Sequence, residues 1–144
     1  MGRHKAREEA LKILYAIEIA HKDVEEALKE AFEFCGKNPQ WDFIQKLVRT
    51  VCTSLAEIDQ KISPFAVDWP LFRMAVLDRT ILRMAVAEML YFPDIPYEVT
   101  IDEAVELAKD YGDTDSGHFV NGILSSIHKS LISSEKEEKV SDAK

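Results

Sequence analysis

LDRTILRMAVAEMLYF, residues 77 to 92, decides the fold. Wound at about 100° per residue, it carries apolar side chains over so much of its circumference that it belongs at the centre of a helical assembly. Charges on such a helix need partners, because ionic groups on a largely buried surface are stable only when paired. Ion pairing is therefore the expected role of Arg79 and Arg83, with Asp78 and Glu88 nearby, ahead of an active-site charge cluster. Pro93 and Pro96 end the segment.

Outward from this helix the pattern stays helical. Before it, Lys5 to Ala20 places Ala10, Ile13, Leu14 and Ile17 on one side, without Pro or Gly. Asp23 is placed to cap a second helix that runs to about Phe34 and stops at Gly36, in a position that suits a left-handed cap. WDFIQKLVRTVCTSLAEIDQKI, residues 41 to 62, reads as one long third segment with a 3-4 apolar stripe, closed by Pro64. A short piece spans Trp69 to Met74. After the central helix, Thr100 and Glu103 form a capping-box pattern at the head of a helix stopped by Gly112. A last helix covers about Ser116 to Leu131, and residues 133–144 read as a charged flexible tail. No stretch alternates with period two long enough for a sheet. The expected fold is all-α, six or seven helices in one domain over residues 1–132, with packed halves of about 1–66 and 67–132.

Composition narrows the function. Of 144 residues, 47% are hydrophobic and 31% charged, a globular balance, and the formal net charge is −8. No apolar run approaches the ~20 residues of a membrane span, and EEALKILYAIE puts charges where a signal peptide needs an apolar stretch. The expectation is a cytoplasmic protein. Cys35 and Cys52 read as free structural thiols, and the four histidines form no zinc spacing, so no metal and no cofactor are implied. No Ser/His/Asp or Cys/His grouping or Gly-rich phosphate loop supports catalysis.

Two stretches stand out. In GRHKAREEALKILY, residues 2 to 15, an acidic chain gathers Arg3, His4, Lys5, Arg7 and Lys12. His4, Lys5, Lys12 and Tyr15 fall within about a third of the first helix's circumference, away from its apolar face, while Arg3 and Arg7 lie on a flanking edge near the anion-attracting N-terminus. Phosphate suits this place; equally, Lys5/Glu9 and Glu8/Lys12 are spaced to stabilise a helix as i,i+4 pairs. In DTDSGHFVNGIL, residues 113 to 124, Asp115, Gly117, His118 and Phe119 sit at a loop-to-helix junction, where free N–H groups face outward and a ring can stack on a base. Asn121 and Gly122 are poor helix formers, explained most simply by close approach of a neighbouring helix.

Taken in order, RHKAREEALKILYAIE, LDRTILRMAVAEML, IPYEVTIDEAVELAKDYG and DSGHFVNGIL resemble the NusB family of bacterial transcription antitermination factors, from Arg3 to about Ile127. The resemblance implies two packed three-helix-type bundles and a role without catalysis. Members pair with a small ribosomal-subunit protein, NusE, and the pair binds the boxA element of nascent RNA, helping the transcription elongation complex read through terminators in ribosomal RNA operons. The family's arginine-rich motif maps onto Arg3, His4, Lys5 and Arg7, its helix-one tyrosine onto Tyr15, and its junction motif onto Asp115, Ser116, Gly117, His118, Phe119 and Asn121. Asp78 and Glu88 are the expected partner contacts, and homodimers occur within the family.

Relatives often carry a denser arginine run. Lysine lacks the planar fork of arginine, so His4 and Lys5 imply lower RNA affinity and a pH dependence near neutrality. A protein-only adaptor is the alternative. A domain of this kind also occurs fused to ribosomal RNA methyltransferases, but the chain shows no Gly-rich cofactor loop and no methyl transfer is expected.

Overall fold

The computed structural model describes the backbone of residues 2–142 and the side-chain surroundings of residues 2–135. Seven α-helices follow in order: α1 (Arg3–Ala20), α2 (Val24–Cys35), α3 (Trp41–Thr53), α4 (Leu55–Ile62), α5 (Val76–Tyr91), α6 (Tyr97–Tyr111) and α7 (Ser116–Asp142). Short 3-10 turns at Ser63–Phe65 and Leu71–Arg73 bridge α4 to α5, and there is no strand among the described residues. The fold is all-α, as the periodicity predicts.

Helix α5 is the hub. It packs against α1, α3 and α4 on one side and α6 and α7 on the other, burying Ile81, Leu82, Met84, Val86 and Met89. Each buried aliphatic side chain contributes about 1.5–3 kcal/mol. One continuous apolar core runs from Ala6 and Leu11 of α1 through α5 to Leu124 and Ile127 of α7.

Several boundaries differ from the sequence reading. The long third segment breaks at Ser54, just after Thr53 turns its hydroxyl back to the Arg49 carbonyl at 2.8 Å. Helix α6 starts at Tyr97, one residue after Pro96, so Thr100 lies inside it; its hydroxyl donates to Glu88 Oε1 at 3.1 Å instead of capping. Gly36 ends α2 in a right-handed conformation at φ −62°, and the left-handed cap is His21, at φ 53° after α1. Asp23 caps α2 as expected, accepting from the Glu26 amide at 3.3 Å. The expected tail from residue 133 is instead the continuation of α7, which runs to Asp142, and Tyr97 donates to Glu135 on it at 3.1 Å; residues 143 and 144 lie outside the described residues.

Candidate nucleic-acid interface

Helix α1 sorts its basic residues by depth. Lys5, Lys12 and Tyr15 are exposed. The lysines pair with Glu8 at 3.4 Å and Glu9 at 3.5 Å, contacts three residues away and not the i,i+4 pairs expected. Arg3 lays its guanidinium 4.1 Å from the centre of the Phe43 ring and donates to Gln40 at 2.8 Å. Its place beside α3 leaves it exposed but partly engaged.

Arg7 corrects the sequence reading. Its side chain is only 3% exposed, and it donates from Nε and Nη2 to Glu88 at 2.9 and 2.7 Å. A forked pair of this geometry, with the side chain almost wholly buried, puts the remaining N–H groups out of reach of phosphate. Glu88, 2% exposed, is equally withdrawn from any partner surface, being closed in by Arg7 and Thr100. Both positions carried a signal. Arg7 continues the Leu11 and Leu14 stripe of α1, and Glu88 that of Ile81, Met84 and Ala85 on α5.

His4 bridges α1 to α6. Its Nδ1 lies 2.5 Å from Glu103 and its Nε2 3.2 Å from Glu8, and these contacts, chiefly the hydrogen bond to Glu103, raise its pKa above 6.5 against the opposing pull of burial. Asp110 completes a group of three with His4 and Glu8 whose polar atoms lie within 4.8 Å of one another. The histidine is thus an ion-pair centre.

The start of α7 reaches the same helix at Lys109, next to Asp110. A Cβ on Gly117 would lie 3.1 Å from Lys109 Cγ, so Gly117 lets α7 close on α6; it is buried, and is corrected from an RNA contact to a packing residue. His118 and Asp115 are exposed and Phe119 is half-buried. Helix α6 therefore carries both segments, with Glu103 and Asp110 under His4 and the exposed Lys109 beside Gly117. Lys109 was overlooked because only the packing shows it standing between the two motifs.

Gly122 does not admit a neighbouring helix, since nothing stands within 4 Å of where its Cβ would be. It lines an open cleft of about 500 Å³ with His118, Phe119, Phe65, Val67 and Trp69. An adjoining cleft of about 320 Å³ places Asp78, Asp113 and Asp115 around Trp69 and Phe119. Val67 and Phe72 add exposed apolar surface, Phe72 at 82%, and Asp78 Oδ1 is buried without a hydrogen-bond donor. Arg79 and Arg83 are ion-paired as expected, but with Glu18 and Asp59 from elsewhere in the fold.

The sequence model of the NusB family matches residues 4–129. The chain belongs to the NusB family. Among its relatives, the transcription antitermination protein NusB of Oceanobacillus iheyensis is 44% identical over 128 residues, 88% of this chain and 98% of that one. The NusB of Geobacillus kaustophilus is also 44% identical, over 131 residues, 91% of this chain and 98% of its own. In three dimensions the chain is similar to T. maritima NusB, with a TM-score of 0.83, 39% identity, and coverage of 90% and 92% of the two chains. It is also similar, at a TM-score of 0.78 and 31% identity over 90% of this chain and 99% of the other, to a chain from a crystal structure of the antitermination factors NusB and NusE in complex with double-stranded RNA. No helix among the described residues of this NusB-family chain is long and apolar enough to cross a membrane.

Proposed function

We propose that the chain is an RNA-binding transcription antitermination factor that pairs with NusE and binds boxA-type single-stranded RNA in nascent transcripts, notably those of ribosomal RNA operons, within the transcription elongation complex. The observation that carries this reading is the convergence of two motifs on α6: His4 meets Glu103 and stands beside Asp110, and Gly117, which precedes His118 and Phe119, packs against the adjacent Lys109. Cations track phosphate while the exposed ring of Tyr15 and the half-buried ring of Phe119 offer stacking surfaces. The solved NusB–NusE assembly with RNA supports the same partnership here.

With Arg7 buried and Arg3 engaged, free cations are few and the chain alone binds RNA weakly. A basic partner supplies the rest. The face for it is the apolar cluster of Val67, Trp69 and Phe72 beside the Asp78, Asp113 and Asp115 cleft, whose three carboxylates suit a partner guanidinium or ammonium. Asp78 is retained as a partner contact. No catalytic step enters this reading, and it places the chain in the cytoplasm.

Gel filtration of the chain, NusE and boxA RNA, with each component omitted in turn, tests the assembly. A salt titration of the ternary complex tests the RNA face: Lys5→Ala or Lys12→Ala each lowers the slope of log K against log salt by about one. An unchanged slope in both favours the protein-only adaptor, which the burial of Arg7 makes the second reading.

A further inference from the structure

The groove between α1 and α2 shares only Lys12 with the two motifs. Phe34, near the end of α2, is 88% exposed, the most exposed large hydrophobic side chain among the described residues. It stands over a notch of about 220 Å³ whose floor is kept low by Ala16 and Ala31 and whose rim carries Lys12 and Lys22 together with Glu30. Lys12 also belongs to the basic strip of α1, next to exposed Tyr15, so the notch continues that strip around the helix.

We propose that this notch is a nucleotide subsite, in which a base of the bound RNA stacks on Phe34 while its flanking phosphates meet Lys12 and Lys22. This rests on the RNA-binding reading above and extends it. The chemistry favours a nucleotide over other flat ligands because an apolar floor, one free ring and two ammonium groups match a base joined to phosphates. Lys22 is held by Glu30 at 2.5 Å and Lys12 by Glu9 at 3.5 Å. Surface pairs of this kind contribute little, and each ammonium has three donors, so phosphate can be shared or exchanged in.

The test uses the full chain with NusE and a boxA-type single-stranded RNA carrying a fluorescent adenine analogue at each position in turn. One position is quenched by the wild-type protein. Phe34→Ala removes that quench and weakens binding by about five-fold or more, Phe34→Trp restores both, and Lys22→Ala lowers the salt slope by about one. Phe34 is too exposed for its loss to unfold the chain, which an unchanged melting temperature confirms. If Phe34→Ala leaves quench and affinity intact while Lys5→Ala still weakens binding, the subsite is overturned and the RNA-binding reading stands. If the wild type binds no RNA, both fall; if Phe34→Ala instead dissociates a homodimer without altering RNA affinity, the notch is a self-association surface and the subsite is overturned.

Discussion

Arg7 and Glu88 lie 81 residues apart and face one another through two hydrogen bonds of 2.9 and 2.7 Å in the interior. The pair pins the second turn of α1 to the last turn of α5, and Thr100 of α6 adds a third donor to the same carboxylate. A residue of the arginine-rich motif thereby becomes part of the frame on which the exposed cations stand.

Removing one partner leaves a buried charge uncompensated. Arg7→Ala or Glu88→Ala is expected to destabilise the fold by about 3–5 kcal/mol, whereas the joint replacement Arg7→Met with Glu88→Leu recovers most of that loss. Urea denaturation of the three variants measures this. A stable Arg7→Ala protein that loses only RNA affinity contradicts the structural role.

His4 makes stability depend on pH. Its folded pKa is raised, chiefly by the hydrogen bond to Glu103, so its contribution is fully present below the ordinary value of 6.5 and is lost as pH rises through the higher folded value. The site is partly exposed and screened, which limits the effect to about 0.5 kcal/mol. His4→Gln flattens the stability profile across neutral pH; a profile unchanged by that substitution rejects the assignment.

Gly122 is a helical glycine with open space where its Cβ would stand. Gly122→Ala should therefore stabilise α7 by about 0.5–1 kcal/mol, visible as a higher melting temperature. If the same variant weakens RNA or NusE binding, something approaches the backbone there on assembly, and the cleft with His118 and Phe119 is in use.

Phe72 projects from the α4–α5 connection at 82% exposure, while Trp69, 44% exposed, has Arg73 4.5 Å from its ring and lines both clefts with Phe119. Trp69→Ala is expected to weaken NusE binding by about 2 kcal/mol or more, as a central aromatic anchor does. Stability should change by less than about 0.5 kcal/mol for Phe72→Ala, its ring being solvated already. Calorimetric titration with NusE, beside thermal melts, separates the two quantities; wild-type affinity in both variants moves the partner face elsewhere.

Each helix with a strong local signature was legible from the chain. The apolar girth of residues 77–92 marks α5 as the hub, Asp23 marks the start of α2, and Pro93 with Pro96 marks the gap before α6. The break at Ser54 was not legible, because the 3-4 stripe continues across it and Phe43, Ile44, Leu47 and Ile58 are all buried on both sides. The capping-box pattern at Thr100 misled for a related reason, since a hydroxyl that would cap in isolation found a buried carboxylate instead.

Sequence alone determined the all-α class and the central helix, since these depend on spacings of three and four residues that a helix imposes locally, while the family resemblance rested on four motifs in order. Helical spacing hinted that Arg7 and Glu88 share the apolar faces of their helices, but tertiary packing decided that they pair with each other. Arg7 and Lys5 sit two positions apart in one basic run, yet one is sealed against Glu88 and the other is exposed. The difference arises because burial of a charge depends on a partner supplied from a distant helix, and no local pattern encodes where that helix comes to rest.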